Sequence, residues 1–115
     1  MKRISNAIAV TLLLVLSASL FTANALAGEG DLALSIKDHR FEPAQLEVPA
    51  GKKFRLVIKN LDSTPEEFES HDLKREKIIA GNGQAVITIG PLKPGTYEFV
   101  GEYHERTARG RIIAK

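Results

Sequence analysis

The chain has no cysteine, and its only methionine is Met1. Without thiols it cannot form a disulfide, the usual reinforcement of a small exported domain, and it has no thiolate to offer a metal. Its stability must come from its core, with a bound metal as the remaining aid. No long apolar run is present: Ile8 to Leu16 is uncharged but well short of the roughly 20 residues of a membrane-spanning helix. There is no phosphate-binding loop, dinucleotide fingerprint, Ser-His-Asp arrangement, internal repeat or low-complexity tract, so nothing supports a catalytic class. A basic excess is missing as well. The formal net charge of +2 comes from Lys2 and Arg3, because all 14 acidic residues and the other 14 of the 16 basic residues lie after Ala27. A balanced domain is not a general nucleic-acid binder, and no nucleic-acid partner is expected.

Lys2 and Arg3, the short apolar run and Ala25-Leu26-Ala27 form the three parts of a secretory signal peptide. The expected division is therefore a signal peptide over residues 1–27 and one small domain over residues 28–115, located in the periplasm. Within the domain the apolar residues alternate with polar ones: Leu32, Leu34 and Ile36; Phe54, Leu56 and Ile58; Val86 to Ile89; Tyr97, Phe99 and Gly101; Gly110, Ile112 and Ala114. Gly, Pro and Asn clusters separate these runs. The pattern predicts an all-β antiparallel sandwich of about seven or eight short strands. Its core is expected from Phe54, Leu56, Ile58, Phe68, Val86 or Ile87, Tyr97, Phe99 and Ile112. Asp38 to Pro43 reads as an interruption and Glu66 to His71 as an extended segment. Asp72 to Lys77 reads as a charged surface stretch with at most one helical turn, and Ile78 to Ala80 as a short strand. Leu92-x-Pro94-Gly95-x-Tyr97 fits a tyrosine corner, in which the phenol bonds back to the preceding loop.

The densest chemistry is Glu102-Tyr103-His104-Glu105, at the end of the strand that Pro94-Gly95 begins. A second group of acids, Glu66, Glu67 and Glu69, follows Pro65. Carboxylates with one or two imidazoles suit iron, Cu(II), Mn or Zn better than Cu(I). Glu66 shares the parity of Phe68 and points inward; Glu67 and Glu69 point the other way. His71 reads as a surface residue, and His39 marks a separate, peripheral position. Lys74-Arg75-Glu76-Lys77 reads as a solvated face, or as a docking patch for an acidic loop.

The chain resembles the cupredoxins. The resemblance rests on Phe41-x-Pro43-x-x-Leu46-x-Val48-x-Ala50-Gly51, on Phe54-x-Leu56-x-Ile58-x-Asn60 followed by Pro65, and on Pro94-Gly95-x-Tyr97-x-Phe99 followed by His104. It implies a Greek-key sandwich and a metal at one end of it. In the blue-copper members a His follows the first loop's Pro, and a Cys, a second His and a Met follow the last strand. Here Glu66 stands at the first His, Gly101 at the Cys and Thr107-Ala108 in the Met region, and only His104 is kept. A type 1 copper centre needs the thiolate and is excluded. Pro65 to Ser70 and Gly101 to Glu105 also resemble cysteine-free periplasmic cupredoxin-like proteins associated with bacterial iron-uptake permeases. That resemblance implies periplasmic binding of iron or copper; the expected ligands are Glu66 and His104, with Glu102 or Glu105 completing the set and Glu67 or His71 as alternatives. The implied partner is an iron permease or another inner-membrane transport component. Oxidation of iron is at most an auxiliary role.

Overall fold

Alternation of burial along each strand builds two sheets around one core. The computed structural model describes residues 30–115, so the expected signal peptide and its cleavage site lie outside the described residues. The strands are β1 (Asp31–Lys37), β2 (Arg40–Glu42), β3 (Gln45–Val48), β4 (Phe54–Asn60), β5 (Glu66–Ser70), β6 (Arg75–Ile79), β7 (Gln84–Ile89), β8 (Gly95–Gly101) and β9 (Arg109–Ala114). One sheet has the order β2-β1-β4-β7 and the other β3-β9-β8-β5-β6. On β4 the residues Phe54, Leu56, Ile58 and Asn60 are buried, and on β7 Ala85, Ile87 and Ile89. Period-two alternation sends one set of side chains to the core and the other to water.

This is the expected all-β sandwich, with nine strands among the described residues. Three details differ from the sequence reading. The sheets are not wholly antiparallel: β1 runs parallel to β4, and β3 parallel to β9. Alternation reports which face of a strand is buried but not the direction of its neighbour. The interruption at Asp38 to Pro43 contains β2, which pairs Lys37 with Arg40 and Ile36 with Phe41 and buries Phe41. The charged stretch from Asp72 holds no helical turn; a turn leads into β6, which starts at Arg75. β6 ends the second sheet, and charges on an edge strand discourage pairing with other chains.

The core residues expected from the sequence are buried or packed against the core. Of the pair left open, Ile87 faces inward and Val86 outward. Phe41, Phe68 and Phe99 form its aromatic centre, with Phe99 at 4.9 Å from Phe41 and 5.0 Å from Phe68. The Tyr97 hydroxyl donates to the Lys93 carbonyl at 2.7 Å, as the tyrosine corner requires.

Candidate metal centre

Three loops meet at one end of the sandwich. The first leaves β4 at Asn60, whose buried amide holds the loop in shape. Its Nδ2 donates to the Thr64 carbonyl at 2.8 Å, and its Oδ1 accepts from the Asp62 N–H at 3.1 Å. This loop delivers Glu66 as the first residue of β5, on the inward face with Phe68 and Ser70. The second follows β8, where Glu102–His104 forms a short 3-10 turn. The third is the two-residue turn Asp38-His39 between β1 and β2, with both residues at positive φ, 53° and 57°.

Glu66 is 1% exposed, which is costly for a carboxylate unless donors surround it. They do. Its Oε1 accepts from the backbone N–H of Tyr103 at 3.0 Å and of Glu67 at 3.1 Å, and its Oε2 lies 2.6 Å from His104 Nδ1. Gly101 makes room for this carboxyl. A Cβ at Gly101 would lie 2.7 Å from Glu66 Cδ and 2.6 Å from the Ala108 Cβ. Gly101, where the resemblance puts the blue-copper Cys, is thus packed against the Glu66 carboxyl. A type 1 site does not fit this chain, either by composition or by space. Cu(II) added to untagged protein is expected to produce no intense thiolate-to-copper absorption; a strong blue colour would refute this.

His104 is partly exposed, and its ring lies face to face with that of His39, with centroids 3.5 Å apart and planes 10° apart. His39 is therefore not peripheral, as the sequence suggested. Two tight connections hold it. The Asp62 carboxylate accepts the N–H groups of Asp38 at 2.8 Å and His39 at 3.0 Å, and the Thr107 hydroxyl donates to the His39 carbonyl at 2.6 Å. Two consecutive residues in the left-handed region make the kind of turn that two-residue hairpins favour, normally with Asn or Gly. Each non-glycine residue there costs on the order of 1–2 kcal/mol, which the Asp62 contacts offset.

The His39 N–H bond is the main reason that Asp62 titrates below the usual carboxylate range, against the opposing effect of burial. A depressed pKa means stabilisation that is present above the unfolded-state value and lost as pH falls through the folded one. Asp62→Ala is expected to lower stability by about 1 kcal/mol at neutral pH. The gap from wild type should narrow as the pH falls through the acidic range where Asp62 protonates. Denaturant unfolding at several pH values checks this; a gap that widens with acidification would be contrary.

The remaining acids stand outside. Burial, then the charge of Glu102, holds the Glu67 carboxyl above its ordinary range. Glu102 is also raised, first by its hydrogen bond and charge interaction with Glu69, then by burial. These carboxylates crowd one another on the solvent side of β5. Glu102 and Glu105 also line an open depression of about 540 Å³ together with His39 and His104. His71 is exposed and lies 3.8 Å from Glu69, away from the depression. Of the residues singled out in the sequence, the structure joins Glu66 and His104 directly, but with the buried Glu66 carboxyl bonded to the His104 ring and two backbone N–H groups, behind that ring and not in the ligand position the sequence suggested. It sets Glu102 and Glu105 beside them and leaves Glu67 among the outer acids. Among the described residues no three His, Asp or Glu side chains are gathered as a metal cluster.

Comparison with known proteins agrees with the fold. The family profile of the cupredoxin-like domain matches residues 7–114. An uncharacterized protein of Rickettsia prowazekii (strain Madrid E) is 52% identical over 83 residues, which cover 72% of this chain and 66% of that protein. The chain thus spans just under two thirds of that relative's length. Auracyanin A, a blue copper protein from Chloroflexus aurantiacus, superposes with a TM-score of 0.63 at 13% identity, over 74% of this chain and 98% of its own. Amicyanin from Paracoccus versutus superposes with a TM-score of 0.59 at 15% identity, over 82% of this chain and 90% of its own. Identities this low establish the fold alone.

Proposed function

This chain belongs to the cupredoxin-like domain family, and from that premise we propose that it is a periplasmic metal-binding protein that handles iron, or Cu(II), in support of iron uptake across the inner membrane. The observation that carries the reading is the buried Glu66 carboxylate 2.6 Å from His104 Nδ1. A histidine that binds metal through one ring nitrogen commonly presents the other to a carboxylate, which fixes its tautomer and orientation. With Nδ1 committed to Glu66, Nε2 is the nitrogen left for an ion, and it has no hydrogen-bond partner among the described residues. Glu66 supports the site from behind, and Glu102 or Glu105 supplies carboxylate oxygen from the rim of the depression. Imidazole and carboxylate without thiolate favour ferrous or ferric iron and Cu(II) over Cu(I). The partner proposed for this cargo is an iron permease or another inner-membrane transport component.

One observation favours a second reading, a metal-free interaction module on the same scaffold: no three ligands are gathered among the described residues. Metal analysis of untagged protein, followed by titration with Cu(II), Fe(III), Mn(II) and Zn(II), separates the two. The metal-binding reading expects a stoichiometric site for at least one of these ions. No binding of any of them would leave the scaffold reading.

A further inference from the structure

We propose that His39 is a ligand of the same metal site: its ring, stacked on that of His104, turns to the ion that His104 binds. The inference rests on the metal-binding reading above and adds a residue from a third loop.

Position is the first argument. The β1–β2 turn sets the His39 ring 3.5 Å from that of His104, and both rings line the same open depression with Glu102 and Glu105. Backbone is the second. A two-residue turn of this kind is met most easily by Asn or Gly, yet a histidine stands there at φ 57°. Strained conformations of this sort concentrate at functional sites when the surroundings hold them in place. Here Asp62 holds the turn from one side and Thr107 from the other. Thr107 lies in the segment that follows His104, so the two histidine loops are fastened to each other.

Availability is the third argument. The contact of His39 Nε2 with Thr64 Oγ1 is 3.5 Å long, a weak bond to give up. With the planes within 10° of parallel and the centroids 3.5 Å apart, the in-plane lone pairs of the two rings lie in separate parallel planes and do not converge. Joint binding therefore requires one ring to turn. This accounts for the lack of a gathered cluster among the described residues, and it makes the loss of stacking a signature of binding. Two imidazoles with rim carboxylates make a set suited to Cu(II), Zn(II) or iron.

The test uses the full chain without a tag, with Cu(II) and Zn(II) as probes. His39→Asn removes the imidazole while keeping a residue that tolerates the left-handed turn. Pulsed electron paramagnetic resonance of the Cu(II) complex should show two coordinated imidazoles in wild type and one in His39→Asn, with Cu(II) affinity about 10-fold or more weaker in the variant. In wild type, Zn(II) should move the ring-proton NMR signals of both histidines as the stack opens, a readout that needs no variant to fold. One imidazole in wild type, with unchanged affinity in folded His39→Asn, would overturn the inference and leave the metal-binding reading intact. Failure of wild type to bind either ion would overturn both.

Discussion

Phe99→Ala is expected to lower the unfolding free energy by about 3–5 kcal/mol, the range for emptying a large aromatic site in a packed core. Phe99 is 1% exposed and touches both other rings of the aromatic centre. A Cβ at Gly110, across the strand pair on β9, would fall 2.4 Å from Phe99 Cζ, so the ring fills the space that glycine leaves. Neither neighbouring strand can collapse into the void without breaking its register, which places the loss toward the upper part of the range. Urea unfolding monitored by circular dichroism measures it. A near-wild-type midpoint would mean that β8 faces the wrong way in this account.

Glu66→Ala is expected to cost on the order of 3 kcal/mol, because it leaves the N–H groups of Tyr103 and Glu67 and the His104 ring nitrogen without their acceptor. It also opens a void beside Gly101. Glu66→Gln keeps the volume and one carbonyl oxygen for the two backbone donors, and should retain most of the stability while changing the partner of His104. The pair of variants thus separates two roles of one side chain: closing the loops of the sandwich end and orienting the imidazole. If Glu66→Ala melts with wild type, the carboxyl is not the hub described here.

Much of this was readable from alternation. Phe54 to Ile58 and Tyr97 to Gly101 each declare an inner face, and the parity shared with Phe68 places Glu66 inside the sandwich. The missing cysteine settles the chemistry excluded, because composition alone removes the thiolate. Other features were out of reach for physical reasons. Strand direction leaves no trace in a period of two, so the two parallel pairings were missed. β2 is three residues long, too short to show a period, and its turn carries Asp38-His39 where a hairpin signal would be Asn-Gly. For that reason the sequence reads His39 as remote from His104. Their contact joins segments far apart in sequence, and the β1–β2 hairpin, the Asp62 anchor and the Thr107 bond to the His39 carbonyl bring them together. The charges of β6 likewise hid its first three residues, and only Ile78 and Ile79 fall in the short strand expected at Ile78 to Ala80, because an exposed edge does not need an apolar face.

The central claim is that His104, oriented by buried Glu66, binds a metal ion at this end of the sandwich. Titration of untagged wild type, His104→Ala and Glu66→Gln with Fe(III) and Cu(II), each protein first shown to be folded, tests it most directly. The account predicts binding by wild type, loss of that binding in His104→Ala, and an affinity about 10–100-fold weaker in Glu66→Gln, the range for removing a carboxylate behind a metal-bound histidine. Folded variants that bind both ions as tightly as wild type would contradict it.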